Sequence, residues 1–521
     1  MVLGGNIMRI ACAANGLSAS WFTFQHDREM RGESSPFRLR MAATGTTATA
    51  TGVGTTDALL YGETWSGPIT YSFPDRPSDY EAGYEEALNG FAPVSFRQMQ
   101  AARYILESTS PVPGGPKAAL TSVEGFTLAT LVDMGFGGSD IRIARSQSGG
   151  KTAYAYLPST APSGGDVWFG RTYDYTKPDL GTYSFITMAH ELGHSLGLKH
   201  PHETGGLTGD TLPASRDSLE YSVMTYHSYV PSLGQEAPAT YTNEVFGYPQ
   251  TYMMYDIAAL QSLYGADFGF RNTNTVYRWS PTTAETFVNG IGMGAPGGGR
   301  GGDANRIFLT IWDGGGIDTY DFSNYTRKVV VNLAPGGASS LASGQRAYLG
   351  DGHYARGNIF NALLYERDAR SIIENANGGA GSDVLNGNVV ANRLKGNAGN
   401  DLLAGQAGND LLIGGAGADT FAFSTALNSA TNVDRIVDFN VRDDTIRLAR
   451  GVFSAFTSTG TMAAGAFCIG PTAHDRDDRI VYDSATGALA YDPDGSGSAA
   501  ALKFAQLVGG LRLTADDFLV V

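Results

Sequence analysis

The chain has 521 residues, too many for one ordinary hydrophobic core, so two to four domains are expected. Its net charge of −15 argues against nucleic-acid binding, which needs a basic stripe, and no apolar run of about 18 residues exists to form a membrane-spanning helix. Two cysteines, Cys12 and Cys468, exclude a disulfide framework, and the local concentration of the 69 glycines signals a repeat rather than a linker.

Residues 1–41 have no clear period and run into the Thr/Ala/Gly stretch Ala42–Thr56, which has nothing to bury. By position, residues 1–56 read as a propeptide and flexible linker. The N-terminal stretch lacks the apolar core of a signal peptide, so a secreted protein would carry its address elsewhere. Residues 57–267 are mixed α and β. Ser78–Leu88 and Val94–Glu107 read as helical or helix-bounded segments, whereas Ile69–Pro74, Asp140–Ser146 and Thr152–Pro158 alternate as strands do. A helix is predicted over Thr182–Leu196, apolar at Phe185, Ile186, Ala189, Leu192 and Leu196, and another over Tyr255–Tyr264.

The first of these two helices carries HELGHSLGLKH, His190–His200. His190 and His194 are one turn apart and share a face, so two imidazoles can hold one ion. Glu191 lies where a carboxylate can take a proton from water polarised by that ion. Gly197 permits a sharp turn at the helix end, the turn can return His200 as a third ligand, and Pro201 blocks further helix. Zinc is the expected metal, because it brings the pKa of a water to roughly 7 and so enables amide hydrolysis. A chance cluster of surface histidines would explain a bare HExxH; it does not explain the full eleven-residue pattern.

Downstream stands YSVMTY, Tyr221–Tyr226. With it the chain resembles the metzincins, and within them the serralysins, secreted RTX metalloproteases of Gram-negative bacteria. The resemblance implies an α+β metzincin catalytic domain over residues 57–267, a mixed twisted sheet plus helices. It makes Met224 the Met-turn beneath the zinc. It makes Tyr226 a further zinc ligand that swings away to stabilise the tetrahedral intermediate. Glu191 becomes the general base that later protonates the leaving amine. Thr152–Pro158 is similar to the strand bordering the cleft, where an extended protein or peptide substrate adds as a further strand. Tyr255–Asp267 is similar to the helix leading out of the domain.

Beyond residue 267 helical signals largely vanish. From Gly378 the chain reads in nines: GGAGSDVLN, GNVVANRLK, GNAGNDLLA, GQAGNDLLI and GGAGADTFA. This is the RTX nonapeptide of a parallel β-roll. Glycines permit tight turns with exposed carbonyls, and calcium takes six to eight oxygens, the hard carboxylate among them. The expected calcium residues are Gly378, Gly379, Gly381 and Asp383; Gly396, Gly399 and Asp401; Gly405, Gly408 and Asp410; and Gly414, Gly415, Gly417 and Asp419. The copy at Gly387 departs, with Val389, Val390 and Asn392 in place of small residues and Asp. Thr310–Ser323 resembles the serralysin segment that starts the roll, which implies Asp313, Gly315 and Asp318 as ligands of an early calcium. By the same resemblance Arg271, Thr273 and Thr275 add backbone oxygens. The all-β part is thus expected as a sandwich and parallel β-roll over residues 268–435, with its C-terminal part over 436–521.

Tyr491–Lys503 begins like an EF-hand, with Asp492, Asp494, Ser496 and Gly497, but its twelfth position is Lys503 instead of glutamate, so it reads as a hairpin turn. The chain ends with Asp517 and then Phe518–Val521, similar to the uncleaved export signal of serralysins. That likeness implies type I secretion machinery as a partner, an extracellular destination, and folding by external calcium. The family also implies a periplasmic protease inhibitor and a monomer. The rival reading is a catalytically inactive RTX surface or adhesion protein with a protease-like domain. Loss of Glu191 or of a triad histidine would favour it, and none is lost. Cys12 as an inhibitory thiolate lacks the motif that such a role carries elsewhere.

Overall fold

The computed structural model describes residues 44–109, 119–150, 152–230 and 240–521. Most of the expected propeptide, Cys12 included, lies outside the described residues. The chain divides into two compact units, Met1–Asp267 with Leu349–His353, and Phe268–Tyr348 with Tyr354–Val521.

The first unit is built on a five-stranded sheet in the order Leu131–Asp133, Ile69–Ser72, Ile141–Ser146, Val167–Gly170 and Ala153–Ala155. The first four strands are mutually parallel and the last is antiparallel. Ile69–Ser72 and Val167–Gly170 are buried at every residue, as strands covered on both faces are. The segment Ser78–Leu88, read as helical or helix-bounded, carries two short helical turns, Pro77–Asp79 and Glu85–Leu88. Gly83 stands between them at φ 87, a left-handed conformation that no helix contains. Helix Phe96–Leu106 starts two residues later than expected, because Ser95 caps it. The Ser95 hydroxyl accepts from the Gln98 amide at 3.2 Å while the Gln98 side chain accepts from the Ser95 amide at 2.9 Å.

Helix Tyr183–Ser195 is capped by Thr182 and buried on every side from Ser184 onward, not along one stripe. Total burial follows from its central place, and its carbonyls find polar partners accordingly. The Tyr252 hydroxyl donates to the Ala189 carbonyl at 2.7 Å. Helix Met254–Tyr264 follows, and its C-terminal Gly265 sits at φ 78.

In the second unit the chain coils. Strands Val384–Asn388, Leu402–Gln406, Thr420–Phe423 and Thr445–Leu448 stack in parallel in one sheet of seven strands. Strands Arg393–Ala398, Leu411–Ala416 and Asp434–Ile436 alternate with them into a second sheet of twelve. Each nine-residue copy therefore contributes one strand, and two copies complete one turn of the coil. The second residue after each repeat carboxylate or its replacement is fully buried, with Leu385, Leu403 and Phe421 in register in one sheet and Leu394 and Leu412 in the other. Ala488–Tyr491 and Leu502–Gln506 pair antiparallel, so the EF-hand-like segment is the connection of a hairpin.

Candidate metal centre and catalytic site

The helix end assembles the first site. Gly197 takes φ 105, and a Cβ there would stand 2.4 Å from the Glu63 carbonyl oxygen. The Leu198 amide donates to the Gly193 carbonyl at 2.9 Å and the Gly197 amide to that of His194 at 3.0 Å, the paired bonds of a Schellman turn. The returning chain is pinned to Leu59–Tyr61, with Lys199 donating to the Leu59 carbonyl and Tyr61 to that of Gly197. Two carbonyls left over at the helix end accept from Trp65 Nε1 and the Tyr264 hydroxyl.

This turn brings His200 against the helix. Its Nε2 lies 3.1 Å from Nε2 of His190 and 3.1 Å from Nε2 of His194. The other ring nitrogens settle the proton positions. Nδ1 of His190 faces the Val223 carbonyl, Nδ1 of His194 the Leu198 carbonyl and Nδ1 of His200 the Glu203 carboxylate, all at 2.8–2.9 Å. Those oxygens can only accept, so each Nδ1 carries the hydrogen and three bare Nε2 lone pairs converge. Burial holds all three rings neutral: it lowers His194 to about 4 and drives His190 and His200 well below the usual range. Three converging lone pairs repel unless a cation stands among them. Zinc with bonds of about 2.0–2.1 Å in tetrahedral geometry spaces its nitrogens roughly 3.3 Å apart, which this cluster fits. Among the described residues, the same three histidines form a group able to hold a metal ion.

Glu191 is 2% exposed, and burial pushes its carboxyl well above the usual carboxylate range. Met224 is fully buried under the helix, and a Cβ on Gly193 would stand 2.6 Å from its sulfur. The glycine inside HELGH thus makes room for the methionine. The Tyr226 ring lies 4.4 Å from the His200 ring and 5.8 Å from that of His190, between centroids.

Two side chains that the motif does not contain hold this arrangement. Asp256, fully buried at the start of helix Met254–Tyr264, accepts from the Ser222 hydroxyl at 2.6 Å, the Val223 amide at 2.7 Å and the Met253 amide at 2.9 Å. It thereby fixes Val223, whose carbonyl orients His190. Glu203 orients His200 directly. Its place three residues past the last histidine was the available signal; Asp256 had none beyond its helix-capping position.

Gly197→Ala is expected to destabilise the first unit by about 2–5 kcal/mol, combining left-handed strain with a backbone clash. Metal content and thermal unfolding of the variant check this; a well-folded, fully metallated Gly197→Ala protein would contradict it.

The second unit gathers the expected carboxylates on stacked turns. Oδ1 of Asp401 accepts from the Asp383 amide, Oδ1 of Asp419 from that of Asp401, and Oδ1 of Asp410 from that of Asn392, at 2.7–2.8 Å. Each aspartate therefore closes the turn 18 residues before it. Oδ2 of Asp401, Asp410 and Asp419 is buried and has no protein partner. Burial raises these carboxyls to about 7, 6 and 6. The first glycine of each copy lies under its own carboxylate: a Cβ on Gly396, Gly405 or Gly414 would stand 2.0–2.3 Å from Oδ2 of Asp401, Asp410 or Asp419. Gly378 stands likewise 2.5 Å from Oδ2 of Asp383. Gly399, Gly408, Gly415 and Gly417 have left-handed φ between 106 and 141. Gly379 and Gly381 instead face the backbone of Tyr325 and Arg327, with no room for a Cβ. Orphaned buried oxygens beside unobstructed carbonyls suit calcium.

At the divergent copy, Asn392 Oδ1 accepts from the Asn388 amide and its Nδ2 donates to the Asn388 side chain at 2.9 Å. An amide satisfied in this way offers no charge to a cation. Sequence reading missed the continuation of the ladder. Asp434 and Asp444 accept from the Asp410 and Asp419 amides, and Asp438 from those of Gly414 and Gly415. Their spacings of 23 to 25 residues break the period, so only the fold reveals them.

At the head of the roll Asp313 and Asp318 are both fully buried, and Oδ2 of Asp318 has no partner. The Thr275 amide donates to Asp318 Oδ1 and Tyr277 donates to Asp313 Oδ2, both at 2.7 Å. Gly315 donates its amide to Asp313 Oδ1 at 3.1 Å, and Arg271 takes φ 51 in the turn before Thr273. Gly316 packs directly on the Thr273 backbone. Glu374, not foreseen, accepts from the Asp318 amide at 2.7 Å.

Comparison with known proteins agrees with this geometry. The profile described as Matrixin matches residues 133–221, and that described as Peptidase M10 serralysin C terminal matches residues 266–459. The chain is 34% identical to Metalloprotease AprA of Pseudomonas entomophila over 83% of its own length and 81% of that protein's. It belongs to the serralysin family of metalloproteases. Metallopeptidase AprA of Pseudomonas marginalis is 32% identical over 83% of this chain and 82% of its own. Serralysin of Proteus mirabilis is 29% identical over 62% of each. The serralysin assignment makes the first unit a metalloprotease domain of the matrixin kind and the coiled second unit its C-terminal companion. Among the described residues, no helix is long and apolar enough to cross a membrane.

Proposed function

We propose that this serralysin is a secreted, calcium-stabilised zinc endopeptidase in which Glu191 is the general base. The convergence of three bare Nε2 atoms beside a buried glutamate carries the reading. Zinc on His190, His194 and His200 supplies Lewis acidity toward water and the scissile carbonyl. Glu191 accepts the proton of the attacking water and passes it to the departing amine. The Tyr226 hydroxyl donates to the developing oxyanion, and Met224 supports the triad from below. The antiparallel strand Ala153–Ala155 ends the five-stranded sheet, so an extended substrate can join its outer side by main-chain bonds. Asp383, Asp401, Asp410 and Asp419, with Asp313 and Asp318, hold calcium. Type I export guided by the last residues, from Asp517 to Val521, delivers the chain to calcium outside the cell, with residues 1–56 as propeptide. A silent surface protein would have no use for the complete triad and its glutamate.

Casein hydrolysis by the purified protein tests this. Removing zinc with a chelator is expected to abolish cleavage and adding it back to restore it. Tyr226→Phe should lower kcat by roughly 10²-fold with little change in KM. Cleavage that survives complete zinc removal would overturn the proposal.

A further inference from the structure

Strands Phe467–Ile469 and Ile480–Asp483 pair in parallel at one end of the twelve-stranded sheet, with Cys468 opposite Val481. Residues 470–479 alone join them, a shorter link than the dozen or more residues that parallel neighbours usually need. Three side chains of different ligating chemistry meet around this tight link. Cys468 Sγ, a His474 ring nitrogen and an Asp478 carboxylate oxygen all lie within 4.8 Å of one another. Cys468 and Asp478 are buried at 7% and 4% exposure, whereas His474 is exposed, so the cluster opens to water on one side.

The local backbone is shaped to hold these groups together. A Cβ on Gly470 would stand 2.8 Å from His474 Nε2, so glycine lets the ring lie over the strand end. Asp478 Oδ2 accepts from the His474 amide at 2.7 Å and the Asp475 amide at 3.1 Å, fixing the turn that carries the imidazole. The thiol makes a long contact, 3.9 Å, to the Thr472 carbonyl and lies beside the Asp478 carboxylate. Burial and the Asp478 carboxylate push it up to about 11, so it keeps its proton unless a cation displaces it.

We propose that Cys468, His474 and Asp478 form a second transition-metal site, taking a zinc-class divalent cation with water as fourth ligand. One thiolate, one imidazole and one carboxylate make a borderline-soft set that suits zinc or cobalt and not calcium, which wants six to eight oxygens. Tetrahedral zinc places neighbouring ligand atoms roughly 3.3–3.6 Å apart, a contraction that rotation of the exposed His474 can supply. Binding releases the thiol proton and staples the short link to the sheet edge.

The test is cobalt titration of the full-length protein with calcium in excess to fill the oxygen sites. The intact protein is expected to take up about two cobalt ions, one at the histidine triad and one here, with a near-ultraviolet thiolate-to-cobalt charge-transfer band. Cys468→Ser should remove one ion and the band together. His474→Ala, at an exposed position, should weaken the second site by at least about tenfold while the protein stays folded. Cys12→Ser should leave the band intact, and all three variants should retain proteolytic activity. Uptake of a single ion without the band, a band that survives Cys468→Ser, or one lost with Cys12→Ser would overturn the assignment.

Discussion

Replacing Glu191 with glutamine is expected to lower kcat/KM for peptide hydrolysis by roughly 10²–10⁴-fold while the zinc content of the triad stays unchanged. Glutamine keeps the volume and packing of a side chain that is 2% exposed, so the fold has no reason to respond. What it loses is the ability to take up and return a proton. A second carboxylate near the metal centre, Glu203, is already engaged as acceptor of the His200 Nδ1 hydrogen at 2.9 Å. Glu203→Gln should therefore act on the metal, weakening zinc affinity by about 10–100-fold, and should leave the chemical step of the loaded enzyme largely intact. Steady-state kinetics together with zinc analysis separate the two roles. Less than about tenfold loss for Glu191→Gln would remove it as general base.

The second large effect is expected from calcium removal. Asp401, Asp410 and Asp419 each turn a buried, unpartnered oxygen toward the turns of the roll, and burial already raises them to about 6–7. Ionising these carboxylates next to one another near neutral pH is disfavoured at buried positions unless a cation compensates the charge. Chelating calcium should thus erase the strand signal of the second unit in circular dichroism and expose it to proteolysis, and calcium should restore both. Asp410→Ala should raise the calcium concentration at the folding midpoint by roughly tenfold. A spectrum indifferent to chelation would refute the calcium assignment.

What could be read in advance follows the range of the interactions. HELGHSLGLKH holds its three histidines, its glutamate and the glycine of its turn within eleven residues, so one helix and the turn that ends it bring them together. The nonapeptide is legible because its short period is exact, and the first glycine of each copy lies under the carboxylate of the same copy or its replacement. Asp256 works through the backbone of Val223, 33 residues away, and nothing in its own neighbourhood distinguishes it from an ordinary helix cap. Ser78–Leu88 is bounded by short helical turns and not helical throughout, because Tyr80 and Tyr84 are extended and Gly83 takes a positive φ, which a helix-compatible composition does not reveal. The extra carboxylates Asp434, Asp438 and Asp444 escaped because they belong to the ladder in space but not to the nine-residue count.

Those last carboxylates bear on where the array ends. The repeat carboxylates close turns that precede them: the Asp383 amide donates to Asp401, that of Asp401 to Asp419, and that of Asp419 to Asp444. The carboxylate bonds therefore run one way along the stack, although the turns also donate backward, Asn400 to Ser382 and Ala418 to Asn400. A fragment cut after Ala422 would contain all five sequence copies yet leave the amides of Asp410, Gly414, Gly415 and Asp419 without their acceptors. The smallest autonomous piece of this roll is longer than its repeats, and it has to include the irregular stretch to Asp444 that supplies its final rung.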